Sequence, residues 1–209
     1  ALDGSDIAVS GVVVAPTDAA PSGGRPVISW AHGTHGIADQ CAPSRTADMV
    51  SRLPSIGKVV SQGYVVVATD YEGLGTPGTH PYLVGESEAR GVLDIARAAQ
   101  QIRETGANDK TFVWGQSQGG QAALFAGEIQ PTYAPELDLQ GVVSGAPVTD
   151  ATAMFPAAAT IPETLGFAVM GLLGMQAAFP DAKVSDVLTP AGLEKTKIVD
   201  QKCYGAVLD

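Results

Sequence analysis

The stretch Thr111–Gln130, TFVWGQSQGGQAALFAGEIQ, contains the pattern that decides how this chain is expected to fold. Its first four residues are β-branched or aromatic, as in a short strand, and its last ten favour a helix. Between them lies GQSQGG (residues 115–120), in which a glycine stands two residues before Ser117 and another stands two residues after it. A Gly-x-Ser-x-Gly segment between a strand and a helix holds its serine in a strained turn at the helix N-terminus. The stretch therefore predicts a strand, a tight turn at Ser117 and a helix.

Strand and helix patterns alternate on both sides of this stretch, over residues 1–150. YVVVAT (residues 64–69) is a continuous β-branched run, which is typical of a strand buried on both faces. Such alternation predicts an α/β fold with a mostly parallel sheet and flanking helices. The predicted strands are Ile7–Val14, Val27–Trp30, Tyr64–Thr69, Thr111–Trp114 and Leu139–Ser144, and the predicted helices are Thr46–Ser61 (interrupted at Pro54), Ser87–Ile102 and Gln118–Gln130.

The last part of the chain, residues 151–209, has a different composition. It lacks a β-branched run, is rich in Ala, Gly, Met and Leu, and contains four prolines. We interpret it as short helices that form a lid or cap over the core of residues 1–150. Ordinary core helices would give the same pattern.

Composition excludes several classes of protein. The formal net charge of −10 and the pI of about 4.6 argue against nucleic acid and against anionic membranes as partners. No apolar run reaches the roughly 18 residues of a transmembrane segment. Neither a nucleotide fingerprint nor a Cys/His cluster suggests a cofactor or metal. The first residue is Ala1 rather than Met, as expected for a mature secreted protein or a shortened chain.

A serine nucleophile needs hydrogen-bond donors for the negative oxygen that forms when it attacks a carbonyl. One donor should be the backbone N–H of Gln118, the residue after the serine. Two loops compete for the second: His32-Gly33, after one predicted strand, and residues 70–73 (DYEG), after another. The sequence pattern leaves both open.

Four segments in this order resemble the secretory lipase family of α/β-hydrolases: WAHGTHG (30–36), QCAPS (40–44), ATDYEGLGTPGTHPYLVGESEARGVLDIARA (68–98) and GQSQGG. The resemblance implies an α/β-hydrolase fold with a helical lid insertion and a secreted enzyme. It assigns the oxyanion hole to Asp70 and Gln118. It also implies a disulfide between Cys41 and Cys203.

The chain departs from that family in its histidines. The family's triad runs Ser, Asp, His along the chain, but His32, His35 and His80 all precede Ser117 and none follows it. We expect the C-terminal part of the fold to be missing from this chain, with a second polypeptide supplying the acid and the histidine. The alternatives are a shortened chain, recruitment of an upstream histidine such as His80, or an inactive site.

The function these residues predict is hydrolysis of carboxylic esters or acylglycerols through an acyl-enzyme on Ser117. The apolar residues of the lid segment suit an acyl chain, although helix packing alone explains them equally well. An acyltransferase or a peptidase on the same scaffold is one alternative. A non-catalytic binding protein with a relic site is another.

Overall fold

The computed structural model describes residues 1–47, 49–53, 55–161 and 164–204, without the side chains of residues 51 and 52. Its centre is a five-stranded sheet in the order β1-β3-β2-β4-β5. The strands are β1 (Gly11–Val14), β2 (Arg25–Ala31), β3 (Val65–Thr69), β4 (Ala107–Gln116) and β5 (Asp138–Gly145). All neighbouring pairs are parallel except β1 with β3. The mostly parallel sheet predicted from the sequence is confirmed.

Helices cover both faces of the sheet. They are α1 (Met49–Arg52), α2 (Ile56–Ser61), α3 (Gly85–Gln101), α4 (Gln118–Tyr133), α5 (Ala151–Thr160), α6 (Leu165–Ala178) and α7 (Pro190–Thr196). Among the described residues, no helix is long and apolar enough to cross a membrane.

The predicted helix Thr46–Ser61 is two short helices, α1 and α2, in the structure. Pro54, where an interruption was predicted, lies outside the described residues. Pro162 and residues 205–209 of the predicted lid segment lie outside them as well.

The core lies between the sheet and helices α3 and α4. Every residue of β3 is buried, which agrees with its unbroken β-branched sequence. On this face the valines of the central strands pack against small side chains of the two helices, such as Ala96 and Ala123. Small residues bring the helix axes close to the sheet, so the ends of strands and helices meet tightly at the edge where the loops gather.

The opposite face is only partly covered. Met49 and Leu53 pack over Val66 and Ala68 of β3. Over β4 and β5 a shallow apolar groove of about 550 Å³ remains, and its wall includes Val143, whose side chain is 59% exposed. A strand-centre valine this exposed is unusual, because burial of such side chains is a main source of stability.

Candidate active site

Ser117 occupies a one-residue turn between β4 and α4. Its backbone has φ 58° and ψ −118°, a conformation that residues with a β-carbon rarely adopt. Its N–H donates to the carbonyl of Gly145 at the end of β5, at 2.8 Å. The neighbouring strand thus helps to hold the serine in a strained geometry, at a helix N-terminus and only partly buried.

Glycines flank Ser117 because no side chain fits there. A β-carbon on Gly115 would lie 1.9 Å from the carbonyl oxygen of Gly119. A β-carbon on Gly119 would lie 1.9 Å from the carbonyl oxygen of Ala31, at the end of β2. The Gly-x-Ser-x-Gly pattern therefore reflects direct backbone contact between the turn, the helix and the neighbouring strand.

The N-terminus of α4 presents unpaired amides next to Ser117. The first hydrogen bond of the helical pattern runs from the N–H of Gln121 to the carbonyl of Ser117, at 3.1 Å. The N–H groups of Gln118 and the next two residues precede it, so they have no partner within the helix. These amides and the helix dipole favour a negative oxygen beside the serine.

The loop after β2 lies against the serine turn. A β-carbon on Gly33 would be 3.3 Å from the carbonyl oxygen of Gln116 and 3.8 Å from the β-carbon of Ser117. The Nδ1 atoms of His32 and His35 approach the Gly33 carbonyl at 2.7 and 2.8 Å. Of the two loops left open by the sequence, this one touches the serine turn, and its histidines brace it.

Asp70, the other predicted oxyanion residue, is fully buried and strongly hydrogen-bonded. Its carboxylate accepts the Ser44 N–H at 2.8 Å and the Ser10 hydroxyl at 2.7 Å, together with the Ser44 hydroxyl. Its own N–H donates to the Ser10 carbonyl at 2.8 Å. Because these bonds would have to break before Asp70 could donate to an oxyanion, its role stays a prediction from the family resemblance.

His32 and His80 have the environment of structural rings. Burial lowers the pKa of His32 to about 3 and that of His80 to about 4, so both are neutral near pH 7. His32 bonds within its own loop. His80 donates from Nδ1 to the Glu72 carbonyl at 2.8 Å. A ring with so low a pKa is poorly matched to a general base.

Sequence reasoning missed a buried polar cluster behind the serine, formed by Gln118, His80 and Glu88. The Gln118 side-chain nitrogen lies 2.7 Å from Glu88 Oε1 and 2.9 Å from His80 Nε2. Glu88 Oε1 also accepts the Leu83 N–H at 2.9 Å. The signal available in the sequence was a glutamate that faces inward on the apolar side of the predicted helix.

The predicted disulfide is present. Cys41 and Cys203 are bonded, with their Cα atoms 5.4 Å apart. Gly36 packs against this bond, since a β-carbon there would lie 2.9 Å from the Cys41 sulfur. The Tyr204 N–H donates to the His35 carbonyl at 2.8 Å. The bond therefore ties the end of the described chain to the loop beside Ser117.

Helix α6 packs over the same end of the molecule. Its Met170 is fully buried in a small cluster with Ile37, Tyr82 and Val199. The Tyr82 hydroxyl is 2.7 Å from the Thr34 hydroxyl, on the loop after β2. Apolar residues of α5 and α6, and the residue that follows α6, remain exposed: Met154, Leu165, Met175 and Phe179. Helix α6 therefore packs near the loop after β2, and the helical segment keeps exposed apolar surface.

A serine at a strained strand-to-helix turn, in a mostly parallel sheet with helices on both faces, defines the α/β-hydrolase class. The solved structure of Candida antarctica lipase A in its closed state matches 96% of this chain and 48% of its own, with a TM-score of 0.77 and 24% identity. The ligand-bound structure of a rice cell wall degrading esterase from Xanthomonas oryzae matches 93% of this chain and 53% of its own chain, with a TM-score of 0.62 and 24% identity. These likenesses establish the fold.

The family follows from the sequence. Residues 41–208 match the family described as secretory lipase, and the chain belongs to that family of hydrolases. Lipase A of Moesziomyces aphidis is 28% identical over 185 residues, which are 83% of this chain and 39% of that protein. A secreted triacylglycerol lipase of Malassezia globosa is 31% identical over 184 residues, which are 82% of this chain and 39% of that protein.

A third relative is called a probable inactive lipase of Mycobacterium tuberculosis. It is 32% identical over 149 residues, which are 66% of this chain and 32% of that protein. The chain therefore spans about a third to two fifths of the length of these curated relatives.

Proposed function

We propose that this chain is the nucleophile-bearing part of a secreted serine ester hydrolase that acts on carboxylic esters or acylglycerols. The observation that carries the proposal is Ser117, strained at the N-terminus of α4 with the Gly33 loop in contact. Membership of the secretory lipase family and the disulfide support an extracellular enzyme.

The reaction would proceed through an acyl-enzyme. The Ser117 Oγ attacks the ester carbonyl carbon while its proton passes to a general base, and the carbonyl oxygen becomes an oxyanion. The Gln118 N–H would stabilise that oxyanion, with a second donor from the Gly33 loop or from Asp70. Collapse breaks the ester C–O bond, and the proton passes from the base to the departing alcohol. A water molecule then attacks the acyl carbonyl with the help of the same base. The carboxylic acid is released, and Ser117 regains its proton.

The acid and histidine of the triad are proposed to come from residues outside these 209, on a second polypeptide. No histidine follows Ser117, and the neutral rings of His32 and His80 are committed elsewhere. The apolar groove over β4 and β5 offers a surface on which such a polypeptide could be buried. The intact mass of the denatured protein, with and without reductant, tests this. A second species would have to contain the missing His and Asp, and a single species of any mass would reject the two-polypeptide arrangement.

The central experiment is hydrolysis of p-nitrophenyl butyrate by the wild type and by Ser117→Ala. The variant should lose at least about a thousandfold in kcat, because no neighbouring group can replace the nucleophile. Ser144→Ala is a control for the loss of a serine hydroxyl at this end of the sheet, since the Ser144 hydroxyl donates to the Gly120 carbonyl. Equal turnover by wild type and Ser117→Ala would reject the proposal.

The relative called inactive favours one second candidate, a ligand-binding protein with a relic site. In a binder, Ser117→Ala would leave the affinity for a non-hydrolysable acyl ether within about twofold of the wild type, and neither protein would turn over an ester.

A further inference from the structure

The side chain of Gln118 is buried, although it is a long polar residue at the first position of a helix. Only 1% of it is exposed. Its amide nitrogen lies within hydrogen-bond distance of Glu88 Oε1, at 2.7 Å, and of His80 Nε2, at 2.9 Å. An amide nitrogen carries two hydrogens, so both are used. The side chain is therefore held in one orientation from two sides.

The two partners of Gln118 are held in turn. The His80 Nδ1–H donates to the Glu72 carbonyl, which leaves Nε2 as the acceptor that Gln118 requires. The Tyr71 ring stacks on His80 with centroids 5.7 Å apart and planes 10° from parallel. Glu88 Oε1 is fixed by the Leu83 N–H. The cluster thus connects α4 to the loop after β3 and to the start of α3.

Burial favours the uncharged form of both titratable members of the cluster, His80 and Glu88. Burial raises the pKa of Glu88 to about 8 and lowers that of His80 to about 4. The 3.7 Å separation between His80 Nε2 and Glu88 Oε1 is therefore a contact of two uncharged groups rather than an ion pair. A neutral cluster avoids the free-energy cost of a buried charge while keeping directional hydrogen bonds.

We infer that His80, Glu88 and the Gln118 side chain are positioning residues that aim the Gln118 backbone N–H at the oxyanion. The inference rests on the proposed function. The N–H and the side chain belong to one residue, so fixing the side chain in two directions also fixes the peptide before it. Oxyanion donors act only when they are aligned to within a few tenths of an ångström, which gives such a brace a catalytic effect.

Gln118→Met tests the brace, because methionine keeps the length and volume but donates no hydrogen bond. Gln121→Met is the matched control: it lies one turn further along α4 and is also buried, but its amide nitrogen donates at 3.4 Å to the Leu83 carbonyl rather than to His80 or Glu88. Near-ultraviolet circular dichroism and thermal unfolding first establish that both variants are folded.

The first readout does not depend on turnover. Hydrogen exchange of the Ser117 amide, which donates to the Gly145 carbonyl, is followed by NMR and should be about tenfold faster in Gln118→Met and within about threefold of wild type in Gln121→Met. Equal exchange in the two variants would overturn the inference.

The second readout is kinetic. With p-nitrophenyl butyrate, Gln118→Met should lower kcat by about tenfold to a hundredfold with KM within about twofold, because a transition-state interaction is lost. The kcat and KM of Gln121→Met should both stay within about twofold of the wild-type values. Faster exchange with unchanged kcat would reject the positioning role. If the wild type turned over no ester in the presence of the residues that supply the triad acid and histidine, the proposed function would be rejected instead, and the exchange measurement would still decide whether the brace exists.

A pair of substitutions at Glu88 completes the test. Glu88→Gln keeps a neutral group with an oxygen that accepts from Leu83 and Gln118, so exchange and kcat should remain within about threefold of wild type. Glu88→Leu removes the acceptor and should reproduce Gln118→Met. If Glu88→Gln were as damaging as Glu88→Leu, Glu88 would be needed as a charge, and the neutral brace would be wrong.

Discussion

A β-carbon placed on Gly33 would lie 3.8 Å from the β-carbon of Ser117, so the loop after β2 and the serine turn are in direct contact. The same β-carbon would lie 3.3 Å from the Gln116 carbonyl oxygen, which is tighter than an ordinary contact. A side chain at this position requires the loop or the serine turn to shift by a few tenths of an ångström. The contact therefore ties the position of the loop to that of the nucleophile.

Under the proposed function, Gly33→Ala should lower kcat by about tenfold or more, because the loop is displaced by a few tenths of an ångström. Its free energy of unfolding should fall by less than about 2 kcal/mol. Steady-state kinetics and urea unfolding measure the two effects. Gly23→Ala is the control, since a β-carbon there meets nothing within 4 Å. Unchanged kcat in Gly33→Ala would show that the loop is not part of the site.

Ser117→Gly should stabilise the protein while abolishing turnover. Glycine adopts the φ of 58° without the strain that a β-carbon causes, so the free energy of unfolding should rise by about 1 kcal/mol. Ser117→Ala keeps the β-carbon and should change it by less than about 0.5 kcal/mol. Urea unfolding of the three proteins compares these values, and a glycine variant less stable than the alanine variant would contradict a strained serine.

The stability of the protein should fall between pH 6.5 and 8 because of Glu88. Burial raises its folded pKa to about 8, well above the unfolded value, so in this range the folded state binds a proton that the unfolded state has lost. Relative to Glu88→Gln, the wild type should lose on the order of 1 kcal/mol across this range. The measurement is urea unfolding at pH 6.5 and 8, and parallel curves for the two proteins would rule out a raised pKa.

His80 and His32 act in the opposite direction at lower pH. Burial lowers their pKa values to about 4 and about 3, so the unfolded state binds protons first as the pH falls below 6.5. Their contribution to stability is therefore lost as the pH falls from about 6.5 towards 4. A His80→Phe variant should show a shallower decline than the wild type in this range, and an equally steep decline would place the effect elsewhere.

Breaking the disulfide should loosen the loop beside Ser117 as well as destabilise the fold. Cys41 and Cys203 are 162 residues apart in sequence, so their bond restricts the unfolded chain strongly, and replacing both by serine should cost about 2–4 kcal/mol. Thermal unfolding with and without reductant checks this. The Tm of the double variant should not change when reductant is added. If the Tm of the wild type did not change either, the disulfide would contribute nothing to stability.

Local patterns were sufficient for most of the secondary structure. The β-branched run became the fully buried β3, and the Gly-x-Ser-x-Gly stretch became a strand, a turn at Ser117 and a helix. Strand β4 begins four residues before the predicted strand, and α4 continues three residues beyond the predicted helix. The predicted helix Thr46–Ser61 is divided into α1 and α2, since apolar spacing does not reveal where a short helix stops. Strand order was not predictable, because pairing depends on contacts between distant residues.

The sequence by itself determined the α/β class, the position of Ser117 and, through the family resemblance, the pairing of the two cysteines. Each depends on neighbouring residues or on a pattern kept in one order along the chain. Only the tertiary structure decided that the Gly33 loop touches the serine turn and that Asp70 is held by serines. It also joined Gln118 to His80 and Glu88, which lie 38 and 30 residues away in sequence. Partners that distant meet only because parallel strands bring their loops to one edge of the sheet, and no local pattern encodes which side chains will meet there.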